Sequence, residues 1–122
     1  MKHIDVVPYD PLWPQHFETE AQKIRQVLGE NLLEIHHVGS TAVPGLWAKP
    51  KIDMIAVVQD TLSLTKNLEK IEFVYKGEYN IPLRYLFAKR GNIDVNLHIY
   101  EKGHPELDLN LLFRDYLRTH PQ

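Results

Sequence analysis

The chain contains no cysteine, which excludes disulfides, thiolate metal sites and a cysteine nucleophile and fits a reducing compartment. It also has no apolar run near the ~20 residues that a membrane-spanning helix needs. Its first residues, Met1-Lys2-His3-Ile4-Asp5, lack a signal-peptide pattern. A cytoplasmic location without membrane contact is therefore expected. Excess positive charge is missing as well: 14 basic against 16 acidic side chains leave a formal net charge of −2. No global field attracts nucleic acid, and such a partner is not expected. Repeats, low-complexity tracts and linkers are absent too. What is present, 122 residues with 43% apolar and 25% charged content, describes one domain, 1–122, with a real core.

Proline and apolar spacing divide the chain into elements. Residues 3–7 alternate and read as a short extended arm, and Pro8, Pro11 and Pro14 follow. Pro14 suits a helix start, where its missing N–H is harmless. Phe17, Ala21, Ile24 and Leu28 keep helical spacing up to Gly29, which predicts a helix over 14–28. Residues 32–38 and 51–58 read as core strands, the second apolar on both faces apart from Asp53. A helical turn is expected within 41–48. Asp60-Thr61 are placed to cap a helix bearing Leu64, Leu68 and Ile71. Strands are then expected around 72–79 and over 83–89. Arg90-Gly91-Asn92-Ile93 reads as a hairpin into a strand over 93–100. There Ile93, Val95, Leu97 and Ile99 face one way, and Asp94, Asn96, His98 and Tyr100 the other. Pro105 opens a last helix carrying Leu109, Leu112, Phe113 and Tyr116. The fold class is α+β, a mixed or antiparallel sheet flanked by helices.

The segment from His36 to Asp53 carries the chemistry. An apolar strand runs into Gly39-Ser40-Thr41, and after a Pro/Gly-containing connection the next strand bears a single carboxylate. Small residues let backbone N–H groups approach an anion. A carboxylate on the neighbouring strand suits the divalent ion that accompanies phosphates.

The residues 37-HVGSTAVPGLWAKPKIDMIAVV-58, with 7-VPYDPLWPQHFETE-20, 96-NLHIYEKG-103 and 110-NLLFRDYLRTHP-121, closely resemble the GrpB-like family (glutamate-rich protein B). The resemblance spans almost the whole chain and implies a nucleotidyltransferase-like fold. In active nucleotidyltransferases a Gly-Ser turn holds the triphosphate. Two carboxylates at i, i+2 on the next strand, and a third from a later strand, bind metal ions for phosphoryl transfer. By position Gly39 and Ser40 match the turn and Asp53 the first carboxylate. Ile55 stands where the second would be, and Asp94 is the candidate third. GrpB-like proteins usually continue into further helical sequence beyond the point where this chain ends.

The resemblance implies a protein that binds a nucleotide or another phosphorylated small molecule with Mg²⁺ (or Mn²⁺), with nucleotidyl transfer to a hydroxyl as its reaction. The expected catalytic residues are Asp53 and His98, and the metal ligands Asp53 and Asp94. Substrate contacts are expected from His37, Gly39, Ser40, Thr41, Lys49, Lys51, Arg84, Asn96 and Arg114. Two alternatives remain: a non-catalytic phosphate-ligand module, and a metal-dependent hydrolase built on His37, His98 and Asp53. The bland reading of each group stays open too. The Gly-Ser-Thr turn could be an ordinary capped turn, and Asp53 could pair with Lys49 or Lys51. Each histidine could bond backbone, and Arg114 could pair with Asp115. Trp13 and Trp47 are expected to pack, with base stacking as the alternative for Trp47.

Overall fold

The computed structural model describes residues 6–78 and 84–103. Helix α1 (Trp13–Leu28) starts after a turn in which the Asp10 carboxylate accepts the Leu12 N–H at 2.8 Å, with Pro14 in its first turn. It ends at Gly29 (φ 54°), whose N–H bonds to the Arg25 carbonyl. Trp13, Ala21, Ile24 and Leu28 are its buried stripe; the spacing predicted the last three, whereas Phe17, expected with them, is only part-buried and stacks on His37.

Strand β1 (Leu32–Val38) follows, then a 3₁₀ turn at Ser40–Ala42 and strand β2 (Lys51–Val58). Helix α2 (Leu64–Glu69) comes next, then β3 (Val74–Gly77), β4 (Arg84–Lys89) and β5 (Asp94–Glu101). The five strands form one sheet in the order β1-β2-β5-β4-β3. Strands β2 and β5 run parallel, and the other neighbours are antiparallel. The expected mixed sheet is therefore present. Of the extended arm over 3–7 only its end is described, where Val7 forms a single antiparallel bridge with Ala48. The last helix and Arg114 lie outside the described residues.

One cap differs from expectation. The Asp60 carboxylate accepts the Leu62 N–H at 3.0 Å, and α2 begins later, after Ser63 in the left-handed region (φ 62°). Asn31 explains the delay. Its Oδ1 accepts the N–H groups of Gln59 and Asp60 at 3.1 and 3.0 Å, holding this stretch against the start of β1.

The main core lies on the helix-covered face. Ile52, Met54, Ala56 and Val58 of β2, Val95, Leu97 and Ile99 of β5, and Phe87 of β4 pack against Trp13, Ile24, Leu64, Leu68 and Phe73. A Glu20–Lys89 ion pair at 2.7 Å borders this core, with the Lys89 ammonium 4.8 Å from the centre of the Phe73 ring. The opposite face carries a smaller buried cluster, Val38, Ile55 and Tyr100. Strand β2 is thus enclosed on both sides, and Asp53 is its part-exposed acid.

Candidate functional site

Strand parity sorts the candidate residues. Partners across a sheet share a face, and neighbours along a strand alternate. Register pairs Val38 with Asp53 and Asp53 with Asn96, and in the next row His36 with Ile55 and Ile55 with His98. Asp53, Asn96 and His98 therefore share the face opposite the helices. His37 pairs with Met54, and Met54 with Leu97. That row lies on the other side.

The expected convergence of His37 and His98 is accordingly corrected: the sheet separates them. His37 is buried, stacks on Phe17 (ring centroids 5.1 Å apart, planes 10° apart), and its Nε2 lies 3.0 Å from the Thr41 hydroxyl. The Thr41 hydroxyl is thereby engaged on the helix side. His37, His98 and Asp53 cannot ligate one ion, so the hydrolase centre does not assemble. Among the described residues no three His, Asp or Glu side chains group as a metal site.

Asp53 is the centre of the polar face. Its Oδ1 accepts a hydrogen bond from Asn96 Nδ2 at 3.3 Å, and His98 Nε2 stands 3.8 Å from the same oxygen. Lys51 Nζ lies 3.8 Å from Oδ2, and the lysine is 42% exposed, so the pair borders water rather than the interior. Burial pushes the Asp53 carboxyl up. The nearby His98 side chain, the Lys51 charge and the Asn96 amide outweigh that burial, and hold it below the ordinary carboxylate value.

That balance has a pH signature. A carboxyl whose folded-state pKa is depressed adds stability above its unfolded pKa, and this contribution disappears as pH falls through the lower folded value. The stability of wild type minus that of Asp53→Asn should therefore shrink as pH drops from about 5 to about 2. Thermal unfolding of both proteins across that range checks it. A constant or widening difference would contradict the Asp53 environment described here.

Gly39 closes over this acid. It adopts φ 75°, and a Cβ at this position would lie 2.9 Å from Asp53 Oδ2 and 3.2 Å from Asp53 Cβ. Only glycine allows both that backbone and that approach. The 3₁₀ turn beyond it is closed by Ala42 N–H to Gly39 O and Val43 N–H to Ser40 O.

Beside the acid lies a cleft of about 370 Å³, lined by Val6, Gly39, Ser40, Thr41, Trp47, Ala48, Lys49, Lys51 and Asp53. The serine turn, both lysines and the acid thus meet around one hollow. A larger hollow of about 610 Å³ lies on the Phe17–His37 side. Its lining has the Glu18 carboxylate and no lysine or arginine, so the smaller cleft with Lys49 and Lys51 is the better anion site.

Two candidates sit elsewhere. Arg84 pairs with Tyr100 at the far end of β4, and its Nη2 donates to the Glu78 carbonyl at 2.9 Å. Asp94 shares the Asp53 face, but it is half exposed and lies 3.9 Å from Arg90 Nε. Neither lines the cleft. Trp13 packs as expected at 1% exposure, whereas Trp47 is 60% exposed. The reason is alternation at the Val7–Ala48 bridge: Ala48 turns into the core, so Trp47 and Lys49 turn out. Val6 also borders the cleft; the alternating arm over 3–7 is its only trace in the sequence.

A family model described as GrpB protein matches residues 3–122. A UPF0157 protein of Halalkalibacterium halodurans is 43% identical over 119 residues, covering 95% of this chain and 61% of that protein. The chain thus spans about three fifths of that relative's length. The crystal structure of the conserved protein GrpB from Enterococcus faecalis superposes with a TM-score of 0.88 at 38% identity, over 96% of this chain and 74% of that one. The structure of Cid1, a poly(U) polymerase, in complex with the UTP analogue UMPNPP matches at TM-score 0.60 and 12% identity. That match covers 92% of this chain and 37% of that one. At that identity the likeness is one of fold. No helix among the described residues is long and apolar enough to cross a membrane.

Proposed function

The chain belongs to the GrpB family and has a nucleotidyltransferase-like fold, and from this premise we propose that its cleft binds a nucleotide or similar phosphorylated small molecule with Mg²⁺. The observation that carries the reading is the pressing of Gly39 onto Asp53, in a cleft that also presents Ser40, Lys49 and Lys51. Two ammonium groups and a hydroxyl suit phosphate oxygens. One carboxylate suits Mg²⁺ that takes the rest of its shell from those oxygens and water. Asp53 is the residue that would hold the ion, and Asn96 and His98 orient its carboxylate.

Binding is better supported than turnover. Two-metal transfer needs a second carboxylate on the same strand face. That position is Ile55, 1% exposed within the Val38–Tyr100 cluster. Nucleotidyl transfer to a hydroxyl is the second reading. In its favour is the acid beside the Gly-Ser turn, the arrangement expected from the family resemblance, in a fold shared with a polymerase whose structure was determined with a UTP analogue.

Thermal unfolding with ATP, UTP and inorganic tripolyphosphate, each with and without Mg²⁺, tests the binding. A ligand at a hundred times its Kd should stabilise the protein by about 2.7 kcal/mol. Lys49→Ala/Lys51→Ala should weaken binding about tenfold or more. Asp53→Ala should remove the Mg²⁺-dependent part alone. Labelled nucleotide incubated with hydroxyl acceptors separates the two readings: stabilisation without product supports binding, and Asp53-dependent product supports transfer. No stabilisation by any of the three ligands at millimolar concentration would end the proposal.

A further inference from the structure

The cleft has an apolar rim that phosphate does not explain. Trp47 is 60% exposed and Val6 52% exposed, and both line the hollow that contains Ser40, Lys49, Lys51 and Asp53. An indole left in water at the mouth of a polar cleft forgoes the burial that usually holds tryptophan in place. It is also fixed in direction. The paired hydrogen bonds of Val7 and Ala48 (2.9 and 3.0 Å) seat Ala48 in the core and hold its neighbour Trp47 outward.

We infer that Trp47 is the stacking platform for the base of a nucleoside triphosphate, with Lys49 and Lys51 on the phosphates. The inference rests on the phosphate-binding reading above and narrows its ligand class. A nucleotide joins a flat apolar ring to a polyanion, and the cleft joins a flat apolar ring to two ammonium groups. Lys49 lies two residues from Trp47, on the same side of the extended segment. A bare polyphosphate or a sugar phosphate would leave the indole uncovered. Stacking on an aromatic ring adds affinity without reading hydrogen bonds.

Calorimetric titration with ATP and with inorganic tripolyphosphate, both with Mg²⁺, tests this on wild type, Trp47→Ala and Trp47→Phe. Wild type should bind ATP about tenfold or more tighter than tripolyphosphate. Trp47→Ala should bring ATP down to the tripolyphosphate affinity and leave tripolyphosphate unchanged. Trp47→Phe, which keeps a ring, should recover most of the loss. Tryptophan fluorescence gives an independent readout, because Trp13 is buried at 1% exposure. ATP should quench the emission, and tripolyphosphate should not. If tripolyphosphate binds as tightly as ATP, or Trp47→Ala leaves the ATP affinity intact, the stacking role is overturned while phosphate binding stands. If neither ligand binds, both readings fall together.

Discussion

Gly39→Ala should lower stability by about 2–4 kcal/mol and remove the Mg²⁺-dependent part of ligand stabilisation, because two independent penalties coincide at one atom. The first is conformational: φ is 75°, where an L side chain is strained by roughly 1–2 kcal/mol. The second is steric: the new methyl would stand 2.9 Å from Asp53 Oδ2 and 3.4 Å from Asp53 Cγ. Relief requires Asp53 to swing away from Asn96 and His98, which dismantles the anion cleft at its acid. Chemical denaturation gives the stability loss. A double-mutant cycle with Asp53→Ala isolates the contact from the backbone strain. In the Asp53→Ala background the same glycine substitution should cost less, since only the Asp53 Cβ neighbour at 3.2 Å remains. Equal cost in both backgrounds would show that Gly39 does not press on the acid.

Ile55→Asp, the change that writes the missing second carboxylate into β2, should destabilise the fold by roughly 4 kcal/mol or more rather than create a metal centre. Ile55 is 1% exposed and packs with Val38 and Tyr100. The substitution removes apolar contacts and buries a charge in one step. Its register neighbours are His36 and His98. Their rings supply polar partners, but Tyr100 and Val38 still keep water out. Thermal unfolding measures the loss, repeated with millimolar Mn²⁺ to expose any metal rescue. A variant that melts like wild type, or that regains its stability only with Mn²⁺, would show this face to be open and return the two-metal reaction to first place.

Much of this was legible in the sequence, for identifiable reasons. The continuous apolar run of β2 announced a central strand, and its one carboxylate announced the site. The helical spacing from Phe17 to Leu28 gave α1, and the alternation from Asp94 to Tyr100 gave the polar face of β5. What escaped depended on pairing, which no single segment contains. His37 and His98 separate because of the register of β1 on β2 and β2 on β5. Arg84 moves out of range because β4 meets β5 at Tyr100. Tyr100 itself sits on the polar face yet is buried, since Ile55 and Val38 need a cover. Trp47 was expected inside, and the Val7–Ala48 bridge, formed by residues far apart in the chain, turns it out.

The parallel pairing of β2 with β5 also has a kinetic consequence. Asp53 and Asn96 are 43 residues apart in the chain, so their contact closes a long loop whose entropy must be overcome first. No hairpin can nucleate it. The acid therefore acquires its amide and imidazole neighbours only once β2 has docked along β5, and the β4–β5 pair by itself holds no assembled site.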